Sequence, residues 1–344
     1  MEPSPAGAVY RLPAIPYLRL THVLRALAPA RLPAFKGSML RGAFGHALRR
    51  SVCLMGPEQP CETCRLRRAC AYTRIFETFV EDEPPPLLRG LDAAPRPYVF
   101  EPADERRDFA PGDPLAFDLL LVGQAVDLQA YVLLAVERMA RAGLGAGRVP
   151  FELARVQAQA PDGSRPILFE KAPSLPAAGR EAGREGVGGS EGPAAPGPRE
   201  IPASLPPAGE PLGSHATVRL LTPLRLKVGG RLAGTLDFRT LAFAMLRRTL
   251  ELAHFHVPGA GIDWTFRPLL DRTAAVRLTA SRLAWHDWDR YSNRQQTKVT
   301  LGGLTGTLEL AGDLAPFAPL LRTAEVLHVG KGATFGLGRI AVET

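Results

Sequence analysis

Residues 330–339 read GKGATFGLGR, four glycines and two cations in ten positions, directly ahead of the apolar run Leu337–Val342. Two nucleotide motifs share this look. A Walker loop needs Lys and then Ser/Thr straight after its second glycine, and that pair is absent. A dinucleotide fingerprint needs a strand before it, a helix after it and a third glycine, where Phe335 stands. What remains is a backbone free to turn sharply, whose amides, together with Lys331 and Arg339, can come close to phosphates. The plainer reading is a glycine-rich bend joining a helix to a strand.

Working outward, apolar spacing predicts strands over Thr217–Lys227, Ala275–Trp285, Val299–Leu310 and Leu337–Val342, with helices over Asp237–His254 and Leu314–Leu321. That order is β-α-β-β-α-β, the order of a ferredoxin-like unit. The same order is predicted earlier: strand Tyr17–Arg25, helix Lys36–Arg50, strands Pro97–Glu101 and Leu115–Val122, helix Asp127–Arg141 capped by its aspartate and closed at Gly143, then strand Phe151–Ala158. The expected fold class is α+β, with tandem ferredoxin-like (RRM-like) domains and a Cys-rich loop inserted in the first.

Between the two patterns, residues 172–213 are dense in Pro, Gly, Ala and Glu and nearly free of large apolar side chains. Such a segment cannot repay its ordering entropy, so it is expected to be a disordered linker between domains 1–171 and 214–344. Apolar residues make up 46% of the 344, enough to fill a core in each domain. No apolar run reaches the ~18–20 residues that cross a bilayer, and Met1–Tyr10 lacks the pattern of a secretory leader, so a cytoplasmic protein is expected.

The net charge of +8 is uneven. Residues 1–75 carry twelve Lys/Arg against three Asp/Glu, and residues 214–344 carry seventeen against ten, while the stretch between is acidic. Two basic bodies suit a polyanion gripped from both ends. Biased composition would give the same numbers, so charge alone does not decide the partner.

All four cysteines, Cys53, Cys61, Cys64 and Cys70, fall inside the loop 53–70. Four thiols from one loop suit a structural zinc, or alternatively an iron–sulfur cluster, better than a disulfide framework.

Helix 36–50, KGSMLRGAFGHALRR, has Leu40, Ala43, Phe44, Ala47 and Leu48 on one face. Gly42, Gly45, His46, Arg49 and Arg50 fall opposite, a small and basic face on which His46 can move a proton near neutral pH. A lone histidine on a helix is also an ordinary polar surface residue. The segment 285–298, WHDWDRYSNRQQTK, interleaves aromatic and cationic residues as grips on single-stranded RNA do, with Arg290, Arg294 and Lys298 facing backbone; the alternative is a polar loop with its tryptophans folded inward. There is no HExxH helix, no G-x-S-x-G elbow and no acidic pair spaced for two-metal catalysis.

With these motifs in hand, the chain resembles the CRISPR pre-crRNA-processing endoribonucleases of the RAMP superfamily. The resemblance runs through RYSNRQ, LGGLTG and HVGKGATFGLGR near the C-terminus and FKGSMLRGAFGHAL, CETCRLRRACAY and Phe76-Glu77 in the N-terminal half. It implies cleavage of CRISPR repeat RNA without a metal: the 2′-hydroxyl attacks its neighbouring phosphate and leaves a 2′,3′-cyclic phosphate and a 5′-hydroxyl. His46 matches the histidine that relatives carry on the first helix, with Lys36 and Tyr291 as further catalytic candidates. Arg41, Arg49, Arg50, Gly330, Lys331, Gly332, Gly336, Gly338 and Arg339 are expected to hold the RNA. Other CRISPR effector subunits are possible partners, DNA is disfavoured and no membrane is expected. Two further readings stay open: a RAMP subunit that holds guide RNA without cutting, and a zinc-organised protein adaptor.

Overall fold

The computed structural model describes residues 10–56, 58–102, 104–160, 163–171, 199–201, 212–287, 289–292, 297–300 and 302–344, with side chains undescribed at 199–201, 289–292 and 297–300. The first unit runs β1 (Ile15–Ala26), α1 (Gly37–Val52), β2 (Tyr98–Pro102), β3 (Pro114–Val122), α2 (Gln129–Ala142) and β4 (Phe151–Ala158). Within its six-stranded antiparallel sheet these strands take the order β2-β3-β1-β4, with β1 between β3 and β4 and Ile167–Glu170 added beside β4. Leu20 faces Leu119 on one side and Ala158 on the other. This is the ferredoxin-like pairing, with α1 and α2 against one face.

The second unit repeats it: β5 (His215–Leu224), α3 (Phe238–His256), β6 (Val276–His286), β7 (Gly303–Gly312), α4 (Ala318–Leu327) and β8 (Ile340–Glu343), in the order β6-β7-β5-β8. The Asp237 carboxylate caps α3 by accepting from the Thr240 amide at 2.8 Å.

Packing explains which helices form where they do. Phe44 and Leu48 of α1 are fully buried on Leu20 and Leu24 of β1 and Val132 and Val136 of α2. Phe44 meets Tyr98 and Phe100 edge-on, at 5.6 and 5.4 Å. The run Leu119–Val122 is buried throughout rather than alternating. Its sheet is covered on both faces: Ile15, Tyr17, Val99, Leu120 and Val122 pack on Leu252 and Ala253 of α3 and Leu327 of α4. The two units therefore share a core.

Some boundaries differ from the sequence reading. Asp127 does not cap α2, which starts at Gln129 after a single 3-10 turn over Gly123–Ala125; the N-cap position falls on Leu128. The last helix lies later than expected, at Ala318–Leu327, because Pro319 suits a first turn and not a helix interior. Val299–Leu310 divides into a hairpin strand, Thr297–Thr300 paired with Asp289–Ser292, and β7. Of the expected linker 172–213, residues 172–198 and 202–211 lie outside the described residues, but Arg199–Ile201 pairs antiparallel with Ile15–Tyr17. No helix among the described residues is long and apolar enough to cross a membrane.

Candidate nucleic-acid interface and cutting site

The glycine-rich segment and helix α1 meet. Gly37, at the start of α1, sits so close to the Phe335 carbonyl that a Cβ there would overlap it. In return, Gly336 rests on the first sheet, where a Cβ would fall 2.5 Å from the Phe100 carbonyl oxygen. One turn along α1, the Arg41 guanidinium lies between two rings, 4.4 Å from Phe76 and 5.4 Å from Phe335.

A buried ionic clasp lies behind this contact. Glu101 of β2 pairs with Arg19 of β1 and accepts from His328 Nε2 at 3.0 Å. His328 Nδ1 lies 3.2 Å from the Leu337 carbonyl, so both ring nitrogens are held by groups on facing elements. Burial raises the Glu101 pKa, but His328, Arg19 and Arg339 outweigh it and hold the carboxylate down to about 2. His328 adopts φ 57°, rare for a side-chain-bearing residue, which turns its ring back across the junction. Sequence reasoning passed over both Glu101 and His328; only their placement on facing elements reveals them.

The expected site residues separate by burial. His46 is exposed on α1, beside Gly42, where a Cβ would meet nothing within 4 Å. Arg50 is exposed on the same face. Gly45 does not belong to that open face: it is buried and a Cβ would run into the Phe76 ring. Arg49 donates to the Gln59 carbonyl at 2.9 Å and lies 5.8 Å from the Tyr72 ring, tying α1 to the cysteine loop.

Lys36 is no free base. Its side chain is fully buried, donating to the carbonyls of Ala34, Asp104 and Arg106 at 3.3, 2.9 and 2.6 Å and pairing with Asp104 at 3.2 Å. An ammonium held by four oxygens is a structural strut.

Gly336 and Gly338 are buried as well. Gly338 has φ 69° and a Cβ there would overlap the Val329 carbonyl, so these two glycines serve close packing of backbone on backbone and not phosphate contact. Gly330 and Gly332 are part-exposed turn residues, Lys331 is exposed, and the Arg339 amide donates to Thr222 Oγ1 at 2.9 Å. Arg290, Tyr291 and Lys298 lie on the hairpin strands, where only backbone is described; Arg294 lies outside the described residues. Arg96, not singled out in the sequence, donates to the Phe76 carbonyl at 2.8 Å. Its pKa is lowered by burial and then by Arg41, so two guanidiniums crowd together beside the junction.

The four cysteines lie in the loop after α1, where Arg49 faces both Cys53 and Cys61. All four thiols are free, and among the described residues no three His, Cys, Asp or Glu side chains are placed to hold a metal ion. Burial and then the Glu77 charge push the Cys61 thiol up to about 11, with Cys70 among the groups that act on it.

Two further histidines, His22 and His256, are buried in the fold. Burial lowers His22 and His256 to about 4; His22 stacks on Phe117 at 5.2 Å, and His256 bonds to Gln124 and to the Pro95 carbonyl.

Comparison with known proteins agrees with this architecture. Residues 218–340 match the family model of the CRISPR-associated endoribonuclease Cas6, and residues 15–194 match the model AF_1859_N, an N-terminal domain. Among solved structures, the product complex of Thermus thermophilus Cas6 superposes with a TM-score of 0.52 at 17% identity, covering 95% of this chain and 99% of that one. A partial Cas6-RT-Cas1–Cas2 complex superposes with a TM-score of 0.53 at 12% identity, covering 96% of this chain and 46% of the other. No curated protein matches.

Proposed function

Because this chain belongs to the Cas6 family of CRISPR repeat-processing endoribonucleases, we propose that it cuts repeat RNA without a metal ion, with His46 taking the proton of the ribose 2′-hydroxyl beside the scissile phosphate. The freed oxygen attacks that phosphorus in line. The O2′–P bond forms as the P–O5′ bond breaks, leaving a 2′,3′-cyclic phosphate and a 5′-oxygen that picks up a proton. DNA has no such nucleophile. The charge that builds on the phosphorane is met by Arg50 on the helix face and by Arg41 and Arg96 at the junction, since fixed cations are worth most where charge develops.

The observation that carries this reading is the contact between α1 and the glycine-rich segment, Gly37 on Phe335 and Arg41 beside the same ring. His46 lies one turn from Gly42 and from Arg50 on the exposed face of the same helix. Gly42 supplies the clearance for a ribose-phosphate backbone to lie against the helix.

The test is cleavage of labelled repeat RNA in excess EDTA by the wild type and by His46→Ala. Wild type should cut and yield a cyclic phosphate end. His46→Ala should bind RNA as before and cut at least about 100-fold more slowly. Loss of wild-type cutting in EDTA would overturn the metal-free route, and unchanged turnover by the variant would move the base elsewhere.

A further inference from the structure

Away from the face of α1, a second group of cations stands together without enough acid to neutralise it. Arg225 follows β5, Lys227 opens the short hairpin Lys227–Val228/Arg231–Leu232, and Lys331 projects from the glycine-rich segment. Backbone brings them together: the Lys331 amide donates to the Arg225 carbonyl at 2.8 Å, and a Cβ on Gly330 would fall 2.6 Å from that same oxygen. The Arg225 Nη1 is buried and has no hydrogen-bond partner. Such an atom costs stability unless something outside the chain accepts from it. Lys331 has its pKa lowered, by burial first and then by Lys227 and Arg225, as expected where cations face each other.

An aromatic surface adjoins them. Trp285, at the end of β6, is 44% exposed, a large ring left in water. Its Nε1 donates to Asp287 Oδ1 at 2.8 Å, which fixes the indole by one edge. Asp287 is also the carboxylate whose charge Arg225 feels. Gly302 and Gly303, where β7 begins, lie against both: a Cβ on Gly302 would press on Trp285 and Asp287, and one on Gly303 would reach 3.0 Å from the Arg225 Cγ. The ring, the acid and the guanidinium thus share one support.

Resting on the RNA-processing reading above, we propose that Arg225, Lys227 and Lys331 hold consecutive phosphates of a single-stranded stretch of the bound RNA while one of its bases stacks on Trp285. Cations beside one fixed, exposed ring are the elements by which unpaired strands are gripped, since every base has a face to stack and every nucleotide a phosphate. A duplex keeps its base faces inside and can use only the cations.

The experiment is fluorescence-anisotropy titration of an unstructured labelled RNA and of a duplex RNA of equal length, at several salt concentrations, with the full chain. Arg225→Ala/Lys227→Ala should bind the single strand at least tenfold more weakly and flatten the slope of log K against log salt by about 1.4, two contacts at ~0.7 each. Trp285→Ala should weaken single-strand binding at least fivefold and leave the duplex unmoved. If Arg225→Ala proves unstable, Lys227→Ala alone, a change at an exposed side chain, should flatten the slope by about 0.7. Wild type that binds RNA, with variants matching it in affinity and slope, would overturn this site alone. Wild type that binds no RNA would overturn the RNA-processing reading beneath it. Variants that lose polyglutamate binding while RNA titrations stay unchanged would assign the patch to an acidic protein and overturn the proposal.

Discussion

Replacing Glu101 by Gln should unfasten the two domains, and the structure sets how much that costs. The carboxylate is 4% exposed, lies between Arg19 and His328, and is the acid of the clasp. Gln keeps the volume and one acceptor but removes the charge, leaving the Arg19 guanidinium and the buried His328 ring without their carboxylate. Removing one partner of a buried ion pair costs about 3–5 kcal/mol. The pKa route gives a similar figure: a carboxylate held at about 2 instead of the usual 4.5 stabilises the fold by about 3 kcal/mol near neutral pH. The sign follows from the depressed value. The contribution is complete above pH ~4.5 and is lost as pH falls toward ~2. Urea unfolding at pH 7, followed by tryptophan fluorescence, should show Glu101→Gln less stable by about 3 kcal/mol, and the variant should lack the stability loss that wild type shows over that acid window. A difference under about 1 kcal/mol at pH 7 would refute the reasoning, because it would mean that the clasp's desolvation cost cancels its attraction.

Gly42→Ala should raise the melting temperature, since alanine gains up to about 1 kcal/mol over glycine in a helix with open space above it, whereas Gly45→Ala should cost about 1–3 kcal/mol by pressing on Phe76; paired thermal melts would show both. Lys36→Met should lower stability by about 2 kcal/mol or more by removing the donor shared by three part-buried carbonyls and the partner of Asp104; a stable variant that had lost only cleavage would return Lys36 to the catalytic group. Between pH ~6.5 and ~4 the fold should weaken, because His22 and His256, buried and held at about 4, stay neutral in the folded chain while their unfolded counterparts take up protons. Acid titrations of His22→Phe should show a shallower decline over that range.

The tandem βαββαβ order was legible because strands and helices here carry clear periods, and ten of the twelve main elements fall within about three residues of where apolar spacing puts them. The last helix and the split of Val299–Leu310 were misplaced because a proline-led turn and a hairpin look alike in apolar content. The face of α1 carrying His46 and Arg50 was readable from helical geometry, but Gly45 was not, since its neighbour Phe76 lies thirty-one positions on in the chain. Lys36 misled because a cation's burial depends on which carbonyls the fold brings to it. The Glu101–His328 contact spans 227 residues and belongs to no local pattern.

Gly37 under the Phe335 carbonyl and Gly336 under that of Phe100 form a reciprocal mortise, each lobe yielding a bare α-carbon to the other's main chain. A joint with less than a methyl of slack permits neither sliding nor hinging. The spacing between helix α1 and the glycine-rich segment is therefore set by main chain on both sides, and a bulkier residue at either glycine would have to push the two lobes apart.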